Sequence, residues 1–175
     1  MNNATLGKAG INVSKLCFGT GTGGWGGKSD QTALGLDGLA DLLAYAYDRG
    51  VTFWDGADQY GSHPHVARAC QIVGRENVTI TSKTTSRDYD GARSDVDRFL
   101  AELTTDCIDI VLMHCLTSKD WPRKCRGAMD ALSEAKEAGK IRAIGVSCHD
   151  YGAFREVART EWVEVVLAQG CVYAR

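Results

Sequence analysis

The sequence predicts an α/β fold in which a parallel sheet is covered by helices, and two observations support this prediction. Short apolar runs alternate along the chain with amphipathic helical patterns, and the connections between them are short. Such alternation requires parallel strands joined by crossover helices that pack on the sheet. In addition, successive apolar runs end on polar or reactive residues, which in a closed parallel barrel converge on one rim.

Six apolar runs have the composition of strands and follow one another along the chain. They cover residues 15–19, 52–55, 78–83, 108–114, 141–148 and 163–169. A short segment before them, residues 5–13, has the pattern of a hairpin that turns at residues 8–10. The sequence therefore predicts six strands preceded by an N-terminal hairpin.

Five helical patterns lie between these strands, each with an apolar face at helical spacing. The faces comprise Leu36, Leu39, Leu43 and Ala46; residues 66–73; Val96, Phe99, Leu100 and Leu103; Met129, Leu132 and Ala135; and Phe154, Val157 and Ala158. Gly50, Gly74 and Gly139 are predicted helix stops. The first helix is predicted to begin at Ser29 or Asp30, which are both good N-caps.

Composition limits the classes of function. The 175 residues are 44% apolar and 24% charged, which is typical of one globular domain, residues 1–175. A net charge of -2 and a pI near 6.1 give no basic surface for nucleic acid or anionic lipid. No apolar run reaches the roughly 20 residues that span a bilayer, and no signal peptide is recognisable. We expect a cytoplasmic protein with a small-molecule partner.

Cysteine usage agrees with a reducing compartment. The chain has 7 cysteines without a C-x-x-C pair, so neither a disulfide framework nor a zinc ribbon is indicated. The pairs His114-Cys115 and Cys148-His149 contain four potential ligands. Neighbours on a strand point to opposite faces, however, so at most one residue of each pair would reach a common site. The sequence thus predicts no metal site.

The glycines in KLCFGTGTGGWGG pose a separate question. Gly19, Gly21 and Gly24 have the G-x-G-x-x-G spacing of a dinucleotide-binding turn, which would favour a doubly wound fold. In such a turn the last glycine opens the helix, whereas here four residues intervene before the first candidate N-cap. Asp55 also lies more than the usual ~20 residues downstream. The doubly wound fold is therefore the minority alternative.

The residues at the strand ends suggest acid–base chemistry. The strands end on Asp55, Lys83, His114, Ser147 with Cys148, and Gln169. Lys83 needs a counter-charge at a partly dry strand end, and Asp55 on the neighbouring strand can supply it. Tyr60 follows closely enough to reach this pair, and an adjacent ammonium would lower the pKa of its phenol. Tyr60 is then a candidate proton donor, and His114 a candidate to orient a substrate oxygen.

These residues resemble the catalytic tetrad of the aldo-keto reductases. The resemblance rests on WDGADQYG with Asp55 and Tyr60, then on Lys83 and His114 at the ends of the next strands. TLGKAGINVSKLCFGTG, DCIDIVLMH, KIRAIGVS and VEVVLAQ are similar to further segments of the family, in the same order. The resemblance implies a TIM-type (β/α) barrel that binds NADP(H), transfers a hydride to an aldehyde or ketone, and protonates its oxygen from tyrosine.

Position by position, the resemblance assigns Tyr60 as the general acid, Lys83 as the group that lowers its pKa, Asp55 as the partner of Lys83, and His114 as the residue orienting the carbonyl. The resemblance also implies cofactor contacts for Gly19, Thr20 and Gly21 at the nicotinamide end, and for Ser147 and Gln169 at the carboxamide. Cys148 stands where the family often has asparagine. A thiol is a weak hydrogen-bond donor, so the resemblance supports this contact less than the others.

Length sets the remaining expectations. A (β/α)8 barrel takes about 250 residues, so this chain accounts for about six β/α units and part of a cofactor cradle. We expect weak NADP(H) binding and, because the first and sixth strands lack their barrel neighbours, a homo-oligomer, specifically a dimer. Carbonyl reduction is the first functional hypothesis. The alternatives are a non-catalytic remnant or oligomeric interaction module, and a different enzyme that uses the same rim.

Overall fold

The computed structural model describes residues 2–168 and contains two sheets and six α-helices in that range. The strands are β1 Asn3–Leu6, β2 Ile11–Ser14, β3 Cys17–Gly19, β4 Phe53–Asp55, β5 Thr79–Thr84, β6 Ile108–Leu116, β7 Ile141–Cys148 and β8 Val165–Ala168. The helices are α1 Leu36–Asp48, α2 His63–Val73, α3 Tyr89–Leu103, α4 Trp121–Lys124, α5 Arg126–Glu137 and α6 Tyr151–Val157. None of the helices in this range is long and apolar enough to cross a membrane.

The larger sheet confirms the predicted fold class. Its six strands are parallel and lie in the order β3-β4-β5-β6-β7-β8, so each strand is paired with its sequence neighbours. A doubly wound sheet reverses its strand order at a switch point, and this sheet does not. The strands form a curled half-barrel, with the antiparallel hairpin β1-β2 added at the N-terminus as predicted.

The two faces of the curled sheet have different roles. The outer face packs against the helices through residues such as Trp54, Ile80, Val111 and Ile144. The inner face forms a smaller cluster in which hairpin residues Ile11 and Val13 pack against Ile110, Leu112 and Ala143. Side chains alternate between the two faces of a strand. Every second residue after these inner-face residues therefore also faces the inside of the curl, and the last of them lie at its carboxyl end.

Several predicted strand boundaries shift by one or two residues in the structure, and the start of the first helix shifts by more. The first helix begins at Leu36 and not at Ser29 or Asp30, because Gly35 with φ +79° separates it from a single 3-10 turn, Thr32–Leu34. The N-cap of this turn is Gln31, although Ser29 Oγ accepts a hydrogen bond from the Thr32 N–H at 3.2 Å. The sixth predicted strand is observed as Val165–Ala168, and Gln169 lies outside the described residues.

Candidate active site

Lys83 and Asp55 form a partly buried ion pair at the carboxyl end of the sheet. Lys83 is fully buried on β5, and its Nζ donates hydrogen bonds to Asp55 Oδ2 at 2.7 Å and to the carbonyl of Gly56 at 2.8 Å. Burial lowers the pKa of Lys83, while Asp55 opposes this shift. Burial likewise raises the pKa of Asp55 against the effect of Lys83. The pairing predicted from the strand ends is present.

Tyr60 lies beside this ion pair, on a 3-10 turn that follows β4. The Lys83 ammonium donates to Tyr60 Oη at 3.4 Å and lies 4.7 Å from the centre of its ring. The prediction of a lowered pKa is nevertheless wrong for this arrangement. Burial, followed by the negative charge of Asp55, raises the pKa of Tyr60 to about 12. The phenol therefore keeps its proton at neutral pH.

His114 completes the group from β6. Its Nε2 lies 3.4 Å from Tyr60 Oη, and the two rings meet edge to face with their centres 5.6 Å apart. Burial, with the nearby positive charge of Lys83, lowers the pKa of His114 to about 3. The imidazole is therefore neutral near pH 7. Arg87 donates a hydrogen bond to the backbone carbonyl of His114, which fixes the end of the strand.

The glycine-rich loop after β3 packs against Tyr60. A Cβ added to Gly21 would lie 2.6 Å from Tyr60 Cδ2 and closer still to two other ring atoms. A Cβ on Gly24 would lie 3.0 Å from Tyr60 Cε1 and 2.9 Å from the carbonyl of Gly21. The Gly27 N–H donates to the carbonyl of Gln59 at 3.0 Å. At Gly21 and Gly24, the absence of a side chain leaves room for the ring of Tyr60.

Gly19 and Thr20 occupy different environments. Gly19 pairs in register with Asp55 and lines a cavity of about 250 Å³ inside the curl. Within the described part of the chain, a Cβ at Gly19 would meet no atom within 4 Å. Thr20 is fully buried, and its hydroxyl bonds to the Asp55 carbonyl at 2.9 Å and to Ser62 Oγ at 2.7 Å. The Thr20 side chain thus ties the loop to β4 and does not line the cavity.

The remaining predicted cofactor residues lie at or beyond the end of β7. Ser147 continues the inner row of Ala143 and Gly145, so it belongs to the same face as Asp55 and Lys83. Cys148 instead packs in the outer core among the helices and is 3% exposed. Because Ser147 and Cys148 are neighbours on β7, they face opposite sides of the sheet, and the Cys148 thiol lies on the side away from the cavity. The expectation that the Cys148 side chain contacts the cofactor is therefore wrong. Gln169 lies outside the described residues.

A partly buried hydrogen-bond network centred on His63 was missed by the sequence analysis. His63, given no role there, is buried, with Nδ1 2.7 Å from Glu102 Oε2 and Nε2 2.7 Å from Ser82 Oγ. Ser82 precedes Lys83 on β5 and faces the helices. The network therefore links α2 and α3 to the strand that carries Lys83. A histidine next to Pro64 at the start of a helix was the available signal, but its partners lie 19 and 39 residues away.

A bulge at the end of β6 overturns one premise of the sequence analysis. The register between β6 and β7 shifts between Met113 and Leu116, and Cys115 has φ +56°. Strict strand alternation is lost there, so His114 and Cys115 no longer point to opposite faces. One ligand atom from each of His114, Cys115 and His149 lies within 4.8 Å of the others. At this position two strand neighbours can therefore reach a common site, contrary to the expectation from strand alternation.

The fold and the candidate active site define the class of protein. It is a parallel (β/α) half-barrel with a cluster of Tyr, Lys, Asp and His side chains at the carboxyl ends of its strands. The sequence profile of the aldo/keto reductase family matches residues 15–172. Because this match covers most of the chain, the protein belongs to the aldo/keto reductase family, a family of oxidoreductases.

Individual relatives agree with this assignment. The chain is 29% identical to aldo-keto reductase YhdN of Bacillus subtilis, over 90% of this chain and 51% of that protein. It is also 29% identical to the aldo-keto reductase yakc [NADP(+)] of Schizosaccharomyces pombe, over 71% of this chain and 41% of that protein. The chain thus spans about half the length of the curated relatives that it matches.

A solved structure supports the fold separately. The holo form of an aldo-keto reductase from Bacillus halodurans superposes with a TM-score of 0.79 at 23% identity, over 97% of this chain and 58% of that one. At this identity the likeness concerns the fold alone. The fold predicted from the alternation of strands and helices, and from the family resemblance, is confirmed.

Proposed function

We propose that this chain takes part in the NADPH-dependent reduction of aldehydes or ketones, with Tyr60 as the proton donor. The observation that carries the proposal is the position of Tyr60 Oη, 3.4 Å from both Lys83 Nζ and His114 Nε2. The family match and the relative named for NADP(+) support the reaction class. The roles of the individual residues rest on the geometry.

The phenol is suited to give up its proton late in the reaction. Its raised pKa keeps it protonated at neutral pH until a stronger base forms beside it. A carbonyl oxygen becomes such a base once its carbon has accepted a hydride. Tyr60 Oη then transfers its proton to this oxygen, and the phenolate left behind is stabilised by the Lys83 ammonium, which already donates to Oη.

Asp55 and His114 position the reacting groups. Asp55 compensates the charge of the fully buried Lys83, so that the ammonium remains available to Tyr60. The neutral imidazole of His114 lies 3.4 Å from Oη, where it can hydrogen-bond the substrate oxygen and hold it next to the proton of the phenol. The substrate class that fits is a small carbonyl compound.

The described residues fit the nicotinamide end of a cofactor. Gly19 lines the cavity beside Asp55 with room at its Cα, and Ser147 places a hydroxyl on the same inner face. These residues would hold the nicotinamide, and NADPH when bound supplies the hydride. The described residues would contact only the nicotinamide end, and we propose that these contacts alone bind the cofactor weakly.

A second candidate function is an oligomeric interaction module without a complete cofactor site. It is favoured by the edge strand β8, whose Val166 and Leu167 are 41% and 43% exposed. Parallel strands are normally covered on both faces, so such an edge is suited to contact another chain. On the same ground we propose that the chain forms a homodimer through its sheet edges.

The experiment that separates these functions is NADPH consumption with small aldehydes, measured for the wild type and for Tyr60→Phe. Carbonyl reduction predicts turnover by the wild type that falls by about 10²–10⁴-fold in the variant. Equal rates in the two proteins would exclude Tyr60 as the donor. No turnover, together with no saturable NADPH binding, would favour the interaction module.

A further inference from the structure

The bulge at the end of β6 gathers three metal-ligating side chains that the proposed reduction does not require as a set. His114 and Cys115 come from the bulge, and His149 comes from the residue after β7. The His149 N–H donates to the carbonyl of Leu116 at 3.0 Å, which holds the end of β7 against the bulge. Backbone contacts therefore fix the three residues relative to one another, in addition to any side-chain contact.

The distances between the ligand atoms suit a tetrahedral metal after a small adjustment. Cys115 Sγ lies 3.9 Å from His149 Nε2, and all three ligand atoms lie within 4.8 Å of one another. Zinc–sulfur and zinc–nitrogen bonds of about 2.3 and 2.0 Å place tetrahedral ligands about 3.5 Å apart. The longest separation must therefore shorten by up to about 1.3 Å. His149 is exposed and Cys115 is half-buried, so their side chains can rotate to achieve this.

The imidazole of His114 provides a second, independent observation. The residue is 3% exposed, and its Nδ1 is buried with no hydrogen-bond partner among residues 2–168. Buried polar atoms in native proteins are almost always paired, because leaving one unpaired costs free energy. His114 thus retains bonding capacity that the described protein groups do not satisfy.

We propose that His114, Cys115 and His149 form a binding site for one zinc ion. Two imidazoles and a thiolate are ligands that Zn²⁺ prefers, whereas Mg²⁺ and Ca²⁺ prefer oxygen. Binding replaces the thiol proton of Cys115, which is released to solvent. The exposed side of the cluster leaves the fourth position to water, as in zinc sites with three protein ligands.

Nearby charges set the strength of this site. The guanidinium of Arg87 bonds the His114 carbonyl, and the Lys83 ammonium lies behind Tyr60. Both oppose a dication, and the thiolate formed on binding offsets one positive charge. The affinity is therefore lower than that of structural sites with several thiolates. Because His114 is one of the proposed ligands, metal binding and the proposed orientation of the substrate carbonyl use the same imidazole ring.

The test is titration of the purified chain with Co²⁺, an optical substitute for zinc. The wild type is expected to develop the intense visible bands of tetrahedral Co²⁺ and a near-ultraviolet band from thiolate charge transfer, and Zn²⁺ should abolish both. Cys115→Ser should lose the charge-transfer band, and His149→Ala should weaken binding by at least about 10–100-fold. Cys107→Ser, which alters a cysteine outside the cluster, should leave the spectrum unchanged.

A second readout is the midpoint of thermal unfolding with and without Zn²⁺. A ligand that binds only the folded state raises this midpoint, so the wild type and Cys107→Ser should be stabilised and Cys115→Ser should not. Octahedral Co²⁺ bands without charge transfer, or identical titrations for wild type and Cys115→Ser, would overturn the proposal. Neither readout requires reductase activity, so failure of the proposed function would leave this test intact.

Discussion

Gly21 lies so close to the ring of Tyr60 that no side chain fits between them. Gly24 approaches the same ring from the next turn of the loop. Two glycines of the G-x-G-x-x-G pattern, Gly21 and Gly24, therefore allow the Tyr60 ring to lie beside Lys83 in this fold. Gly19 differs, since it faces the cavity.

Replacing Gly21 with alanine should reduce carbonyl reduction sharply without unfolding the chain. The added methyl group would displace the Tyr60 ring, and a displacement of about 1 Å in a reacting group can lower the rate about 10²-fold. NADPH consumption measures the loss, and near-ultraviolet circular dichroism reports the tyrosine environment. Gly38→Ala on α1, where the nearest atom is Leu34 Cβ at 3.3 Å, is the control. Wild-type rates in Gly21→Ala would show that the ring position is not critical.

Lys83→Met should abolish most activity and preserve the fold. The methionine fills similar volume in the buried site, but it removes the ammonium that stabilises the Tyr60 phenolate, at a cost of about 10²–10⁴-fold in rate. Far-ultraviolet circular dichroism and the NADPH assay measure the two effects. Lys119→Met, at an exposed position, is the control. A large loss of helical signal would contradict the assignment of a chemical role.

Asp55→Asn should be milder than Tyr60→Phe. The amide oxygen can still accept a hydrogen bond from Lys83, whereas phenylalanine leaves no proton to transfer. We expect a smaller fall in kcat for Asp55→Asn, measured under the same saturating conditions. If the two variants lose activity equally, the carboxylate does more than hold Lys83.

The chain should lose stability as the pH falls below neutrality, in part through His63. Burial lowers the pKa of His63 below its ordinary value of 6.5, although Glu102 and Asp58 favour the charged form and Arg98 opposes it. The unfolded chain therefore binds more protons, and the contribution of neutral His63 is present above pH 6.5 and is lost between 6.5 and its lowered pKa.

Urea unfolding at pH 7.5 and 5.5 measures this effect. His63→Gln should show a smaller difference in unfolding free energy between the two pH values than the wild type. The pKa of His114 is lowered in the same direction, so some acid sensitivity should remain in the variant. Lys119→Gln, at an exposed position, is the control. An unchanged difference in His63→Gln would contradict the prediction.

The purified chain should be a dimer at micromolar concentration. The mass from light scattering should fall to that of a monomer in Val166→Lys, because a charge on the exposed edge strand opposes pairing. Leu34→Lys replaces an apolar residue that is more exposed than Val166 and lies away from the edge, and this variant should remain dimeric. A cooperatively folding wild-type monomer would refute the dimer.

Much of the fold could be predicted because strand and helix patterns are local. Residues 141–148 form β7 with the predicted bounds, and Asp55, Lys83 and His114 lie within two residues of the carboxyl ends of their strands, close to where they were predicted. Period-two alternation assigns each side chain to a face once the strand is recognised. Where the alternation is broken, as at Cys115, the same reasoning gives the wrong face.

The sequence by itself determined the order of elements, the parallel sheet and the residues that meet at its carboxyl edge, since these follow from hydrophobic spacing and strand polarity. Only the tertiary structure decided the raised pKa of Tyr60, the partners of His63 and the bulge that joins His114 to Cys115. Each of these depends on burial and on contacts between residues far apart in the chain. A local sequence pattern cannot predict such contacts, because desolvation and backbone register depend on the residues that pack around a given position.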